Sequence, residues 1–269
     1  MPKYKLTIVT PSFNQGEFIS DTYDSILKQK VTAPIEYIVN DGGSTDDTVK
    51  ISKEYAKKFA RKGIDFKFTS QKDKGQSDAI NKGWKKAQGE IITYLNSDDY
   101  YEPDTLQKII DFFDKNKKYK WAYGGWNFVT RSGKSYKKVL PPKYDKRKLL
   151  DWCNISQPST FFKRELLEEF GYLNVDMHLT MDYDLWLRFA TKCQPGVMNF
   201  VISNMRYYAD AKSGSRTKEH LKASFALSKS YSRPFSFQRF RQIYYYCRGL
   251  AVILVGKDIT RRVSAKESN

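Results

Sequence analysis

Residues 91–99 read Ile91-Ile92-Thr93-Tyr94-Leu95-Asn96-Ser97-Asp98-Asp99. The nearly continuous apolar run is the pattern of a strand buried on both faces. It ends abruptly in two adjacent carboxylates. A buried strand of an open α/β sheet delivers its last side chains to the carboxyl edge, where such sheets bind ligands. Two carboxylates ~4 Å apart repel by roughly 4 kcal/mol at an effective dielectric near 20. A hard divalent cation turns that repulsion into attraction, and such cations usually arrive with phosphate oxygens. A solvated Ser-Asp-Asp turn is the plain alternative, and the dipeptide alone does not separate the two.

Upstream of this stretch, strand and helix alternate. Leu6 to Thr10 reads as a strand and Glu17 to Lys30 as a helix with Ile19, Tyr23, Ile26 and Leu27 on one face. Ile35 to Asn40 is a second strand. Ser44 and Asp47 offer a capping box for a helix carrying Val49, Ser52, Tyr55, Ala56 and Phe59. Phe66 to Ser70 is a third strand, and Gln76 to Gln88 a third helix with Ala79, Ile80, Gly83, Trp84 and Ala87 inward. Such alternation means a mostly parallel α/β sheet with helices on both faces. Neither a Gly-x-Gly-x-x-Gly turn nor a Gly-Lys-Ser/Thr loop follows the first strand, which excludes a dinucleotide fingerprint and a Walker loop.

Downstream the pattern changes. Pro103 to Phe113 reads as a helix, and Trp121 to Thr130 and Ser135 to Leu140 as strands around Ser132-Gly133. Pro141-Pro142 and Lys143 to Lys148 read as a linker or exposed loop. A helix starts near Arg164, another spans Asp182 to Thr191, and Phe200 to Ser203 is a short strand. Residues 204–232 are polar and Ser/Lys-rich, with mobile stretches expected. Phe235 to Val255 is a basic, aromatic, amphipathic helix.

The chain has 269 residues and a formal net charge of +17. Residues 206–269 carry 14 Lys or Arg against 4 Asp or Glu, so this quarter holds +10 of the total. Such a balance favours anionic partners, although a lysine-rich solvated surface explains part of it. Cys153, Cys193 and Cys247 are scattered, which argues against a disulfide framework or a zinc site and for a reducing, cytoplasmic compartment. Met1-Pro2-Lys3-Tyr4-Lys5 leads straight into a strand without a secretory signal. No apolar run is long enough to span a bilayer.

Four blocks in order carry a resemblance. They are Val9 to Gln15; Ile38 to Thr48, with Asp41-Gly42-Gly43-Ser44-Thr45-Asp46-Asp47; Gly75 through Ile92 with Asn96 to Asp99; and Met181 to Arg188. Over residues 5 to about 205 the chain resembles the family 2 glycosyltransferases of the GT-A fold. The resemblance implies transfer of a sugar, with inversion, from a nucleotide-sugar, read here as a UDP-sugar, to a hydroxyl of a glycan or lipid-linked acceptor. Such work belongs to cell-surface polysaccharide or glycolipid assembly. It divides the chain into a GT-A domain over 1–205, with 1–100 as the nucleotide half and 101–205 as the acceptor half, and a basic lid and helical tail over 206–269.

The resemblance also assigns residues. Thr10, Pro11, Ser12, Asn14, Asp41, Asp73 and Gln76 fall on the nucleotide-sugar side, with Asp98. Asp99 and Asp98 are expected to hold a divalent cation, Mn²⁺ or Mg²⁺, against the donor diphosphate, with Asn96 where relatives often carry a further Asp. Asp182 is the expected general base on the acceptor side, against the plain reading of an N-cap carboxylate. Gln157 and Ser159 are expected to border the acceptor, against a simple turn.

Several residues carry two readings. Arg188 either pairs with Asp184 at i,i+4 or serves the site. Trp126 and Trp152 either pack or stack on a sugar. His220 is a surface residue or a further metal ligand. Arg206, Lys212, Arg216 and Lys218 surround Ser213-Gly214-Ser215 as a lid or as a solvated loop. The 235–262 tail is either an interfacial helix on an anionic membrane leaflet, at the cytoplasmic face, or a helix packed on the domain with snorkelling cations. Two rival functions are a sugar-phosphate nucleotidyltransferase and a basic nucleic-acid binder. The first lacks its Gly-rich, Arg-containing loop after the first strand. The second leaves Asp41, Asp98, Asp99 and Asp182 without a purpose.

Overall fold

The computed structural model describes residues 2–208 and 216–255. Its first half runs β1 (Tyr4–Ser12), α1 (Ile19–Leu27), β2 (Ile35–Asp41), α2 (Thr48–Lys62), β3 (Asp65–Ser70), α3 (Gln76–Lys86) and β4 (Gly89–Tyr94). The second half runs β5 (Tyr100–Tyr101), α4 (Thr105–Lys115), β6 (Trp121–Val129), β7 (Ser135–Val139), α5 (Lys146–Asp151), a 3-10 turn (Gln157–Ser159), β8 (Thr160–Lys163), α6 (Glu165–Phe170), α7 (Met181–Lys192) and β9 (Gly196–Arg206). Two helices complete it, α8 (Thr217–Ser230) and α9 (Phe237–Leu254).

One sheet runs through both halves in the order β3-β2-β1-β4-β8-β6-β9-β5, with β7 paired to β6. The strands β3, β2, β1 and β4 are parallel, as the strand-helix alternation predicts. β8 joins antiparallel to β4 and carries the sheet onward. The register places Ser12 opposite Asp41 and Asp41 opposite Ser70, so three strands end level at one edge.

Period-2 alternation sorts the apolar side chains of β1 and β2 onto two cores. Ile8 and Tyr37 join Tyr23, Phe59 and Phe113 beneath α1, α2 and α4. Val9 and Ile38 join Trp84, Trp121, Phe162 and Trp186 beneath α3 and α7. α3 lies close on β1 because Gly83 has no Cβ to meet the Val9 side chain. One charge sits inside this frame. The buried Glu36 carboxylate accepts from Thr7 Oγ1 at 2.6 Å, from the Gln88 amide at 2.8 Å and from Lys67 Nζ.

The structure departs from the sequence reading at helix ends and in polar stretches. α1 starts at Ile19 rather than Glu17, and α2 starts at Thr48. Ser44 is not its cap: its side chain binds Asp41 and the Asn14 amide, while Asp46 accepts from the Thr48 amide at 3.0 Å. The stretch expected as a linker contains α5, capped by Asp145. The stretch expected to be polar and mobile contains α8, whose small Ser224 and Ser228 are buried. A Cβ on Gly249 of α9 would come within 2.8 Å of Leu221, so small residues let the last two helices approach closely.

Candidate active site

The site forms at the carboxyl edge of β4. The chain leaves the strand through Leu95, whose amide donates to Val9 O at 2.9 Å, and turns so that the Asp99 amide meets Asn96 O at 3.1 Å. The turn leaves Asp98 part-exposed and buries Asp99. Asp99 Oδ1 accepts from the Arg206 amide at 2.9 Å, at the end of β9, and Thr22 Oγ1 donates to the Asp99 carbonyl at 2.7 Å. Tyr208 Oη donates to Asp98 Oδ2 at 3.3 Å. Burial pushes the Asp99 carboxyl well above the usual carboxylate range, and the neighbouring Asp98 charge adds to that. Burial also raises Asp98.

Asn96 is the hub. Its Oδ1 accepts from Gln76 Nε2 at 2.8 Å at the start of α3, and its Nδ2 donates to Asp99 Oδ2 at 3.3 Å and to Gln157 Oε1 at 3.4 Å. Gln157 in turn donates to Tyr94 O. A neutral amide can donate and accept at once, which a carboxylate at this position could not do. The expected donor-side, metal and acceptor-side residues are thereby joined through one side chain.

Asp182 is the second residue of α7, and the cap position is Thr180, in a left-handed conformation at φ 62°. The N-cap reading of Asp182 is therefore overturned. Its carboxylate has no side-chain hydrogen bond among the described residues. Its charge reaches Tyr94 and Cys153, raising both along with their burial, and this sets it at the same end of β4. The segment before α7 lies over the middle of α3, where Leu173 and Asn81 exchange hydrogen bonds. Asp184 takes the structural role: it pairs with Arg188, which also donates to the carbonyls of Gly171 and Tyr172 at 3.0 Å and so closes the end of α6.

The residues expected on the nucleotide side cluster at the ends of β1 and β2 and in the loop after β3. Asp41 is buried and accepts from the Gly43 amide at 3.1 Å, the Ser44 amide at 2.9 Å and Ser70 Oγ at 2.6 Å. Thr10 is buried and accepts from Tyr37 Oη, and Pro11 pairs with Asn40 across the strands. The Ser12 hydroxyl is buried without a hydrogen-bond partner among the described residues. Asn14, at φ 51°, accepts from the Thr45 amide at 2.9 Å, while the Gln15 and Gly16 amides donate to Thr48 and Asp46. Asp73 crowds Gly42, where a Cβ would come within 2.9 Å of Asp73 Oδ2. Asp41 and Asp73 line a cavity of about 220 Å³ together with Lys82, Lys85 and Lys86.

Other expected residues fall outside this cluster. Ser159 is fully buried, its hydroxyl donating to Gly125 O at 2.8 Å and facing Ser203 Oγ at 2.6 Å, so its surface is used up by the fold. Trp126 is half-buried against Phe128, and Trp152 is half-exposed. His220 lies on α8 beside Ser224, and no group of three His, Cys, Asp or Glu side chains among the described residues could hold a metal with it. Arg206 is not part of a lid: it ends β9, is buried, and donates to Asp21 at 2.7 Å. Lys212 and Ser213-Gly214-Ser215 lie outside the described residues.

Arg206 brings with it a cationic-aromatic cluster that the sequence reading missed. Its guanidinium stands over Phe18 at 4.7 Å and Tyr100 at 5.6 Å, and its Nε has no partner among the described residues. Arg131 packs over Phe18 and Tyr208, and donates to Glu17 at 2.8 Å. The only sequence signal was a lone Arg at the end of an apolar strand, which is indistinguishable from a surface cation.

The sequence model of glycosyl transferase family 2 matches residues 7–171, about three fifths of the chain. The chain belongs to that family. Its rivals among the sequence readings, a nucleotidyltransferase and a nucleic-acid binder, are thereby set aside. A glycosyltransferase from Escherichia coli named UDP-Glc:alpha-D-GlcNAc-diphosphoundecaprenol beta-1,3-glucosyltransferase WfgD is 30% identical over 221 residues, covering 81% of this chain and 83% of its own. An uncharacterized glycosyltransferase of Rickettsia conorii is 25% identical over 197 residues, and the match spans only 31% of its length. The mannosyltransferase PcManGT of Pyrobaculum calidifontis, solved with GDP-Man and Mn²⁺, superposes with a TM-score of 0.63 at 20% identity, over 95% of this chain and 76% of its own. These neighbours establish the GT-A fold. Family 2 glycosyltransferases act on nucleotide-sugars, and relatives of this one work in polysaccharide and glycolipid assembly.

Proposed function

We propose that the chain is an inverting, cation-assisted glycosyltransferase that moves a sugar from a UDP-sugar to a hydroxyl of a glycan or lipid-linked acceptor. The observation that carries the reading is the Asn96 hub. It ties Asp99 to Gln157 and Gln76, while Asp182 stands unengaged at the same end of β4. The UDP and lipid-linked parts rest on the activity for which WfgD is named; the chain aligns with WfgD over most of both lengths.

Asp98 and Asp99 fit a hard divalent cation. They are adjacent, poorly solvated oxygen donors: burial raises both carboxyls, and the Asp98 charge raises Asp99 further. Such a cation neutralises charge on a diphosphate leaving group. The rest is done by the chain. Asp41, Asp73 and the knitted loops at 12–16 and 41–48 hold the nucleoside. The Arg206 amide and Asn96 fix the orientation of Asp99. Asp182 accepts the proton of the acceptor hydroxyl as its oxygen attacks the anomeric carbon. With no hydrogen bond from a described residue competing for its oxygens, that carboxylate is available to an incoming hydroxyl.

Calorimetric titration with UDP, GDP and dTDP, each with Mn²⁺ and with EDTA, tests the reading. Binding of UDP that disappears in EDTA is the expected result. Binding of another nucleotide alone would replace the donor assignment, and metal-independent binding would remove the cation from it.

A further inference from the structure

The α9 helix holds the domain with polar side chains and turns apolar ones outward, the reverse of a core helix. Gln242 is buried and donates to Leu150 O at 2.8 Å and Ser228 O at 2.9 Å. Gln238 donates to Asp151 Oδ1 at 2.8 Å, and Arg241 closes on the other oxygen of the same buried carboxylate. Arg239 donates to the carbonyls of Lys229 and Ser232 at 2.7 Å. On the outer side Phe237 is 78% exposed, Phe240 58%, Tyr244 63% and Leu254 84%. At ~100° per residue, these side chains together with Ile243, Val252 and Val255 fan over about half of the helix circumference. Single exposed apolar residues are ordinary, but a contiguous stripe marks an interaction surface.

We infer that this stripe docks on an anionic lipid leaflet, with α9 lying in the interfacial plane. Two observations select that occupant. The fan is wider than the narrow seam that a pairing helix covers. The surroundings are also cationic: residues 216–255 contain eight Lys or Arg and a single acid, Glu219. Arg248 is exposed on the same face of α9, and Lys222, Lys229 and Arg233 are exposed on α8 and the connection that follows it. A second copy of this surface would face like charge, whereas anionic headgroups attract it. No helix among the described residues is long and apolar enough to cross a membrane, so the contact is peripheral.

The placement serves the proposed reaction and extends the reading of a lipid-linked acceptor. Half-exposed Trp152 lies between Asp151, which α9 grips, and Cys153, which lies within the field of Asp182. Docking through α9 holds the Asp151–Cys153 segment, and with it exposed Trp152, next to the helix that meets the leaflet.

Vesicle sedimentation of the full chain, without donor or turnover, tests the docking separately from the sugar-transfer reading. Vesicles of phosphatidylcholine alone are compared with equal parts phosphatidylcholine and phosphatidylglycerol. The expected result is binding at least about tenfold tighter to the anionic vesicles, weakened by salt. The double variant Phe237→Ser with Phe240→Ser should lose about tenfold of it, and Arg248→Glu, which reverses a charge on that face and removes none of its apolar side chains, should weaken it too. Both are exposed changes, and an unaltered urea midpoint of each variant verifies that the domain is intact. Equal, weak sedimentation with both vesicles would overturn the proposal. So would a dimer in analytical ultracentrifugation that the Phe variants convert to monomer, because the stripe would then belong to a second copy.

Discussion

The Arg206 amide donates to Asp99 Oδ1 at 2.9 Å across 107 positions of sequence, joining the end of the last strand to the acidic turn after β4. The side chain of Arg206 is 2% exposed, whereas its ion-pair partner Asp21 is 60% exposed. The ion pair therefore contributes little by itself, and the buried guanidinium over Phe18 contributes by packing. Arg206→Ala should cost about 2–4 kcal/mol in urea denaturation, and Asp21→Ala under about 1 kcal/mol. Equal costs would mean that the pair, not the packing, matters.

The two carboxylates assigned to chemistry should separate kinetically. Asp182→Asn should lower kcat by on the order of 10²–10⁴ while leaving UDP affinity unchanged. Asp99→Ala should instead abolish the difference between UDP titrations in Mn²⁺ and in EDTA. Near-normal turnover by Asp182→Asn would remove its role as base.

The three free thiols should react in a fixed order. Burial, with the Asp182 charge adding to it, pushes the Cys153 thiol far up, so at pH 8 almost none of it is thiolate. Cys247 is exposed. Iodoacetamide at pH 8 followed by peptide mass mapping should find Cys247 modified first and Cys153 only after unfolding. Early labelling of Cys153 would show that water reaches the space beside Asp182.

The buried carboxylate of Glu36 holds β1, the start of β4 and Lys67 of β3 together. Glu36→Gln keeps the shape but weakens the charge-assisted bonds, and should cost about 1.5–3 kcal/mol by urea midpoint. Lys67→Ala should cost less, since Lys67 reaches solvent and leaves Glu36 its Thr7 and Gln88 partners. A larger loss from Lys67→Ala would show that the cation alone makes the buried charge tolerable.

Much of the fold was legible because it rests on periodicity. The alternation of strands with helices up to β4 named the parallel sheet, and the carboxylates at 98 and 99 marked the edge where the site is proposed. What escaped was set by contacts between distant segments. α8 presents Ser224 and Ser228 to its neighbour, where a hydrophobic pattern would have been visible, so its helix looked like a polar stretch. Ser159 sits in a promising motif, yet only the packing of β6 and β9 around it shows that its hydroxyl is consumed. Arg206 looked like a lid residue because nothing local says that Asp21 and Phe18, far upstream, surround it.

The loops after β1 and β2 bind each other in both directions: the Asn14 amide reaches Ser44, and the Thr45 amide reaches Asn14. Neither can be lengthened or grafted alone without orphaning a partner on the other. Attempts to exchange nucleotide preference with a relative should therefore transplant residues 12–16 and 41–48 as one cassette, and single-loop chimeras should lose solubility before they change specificity.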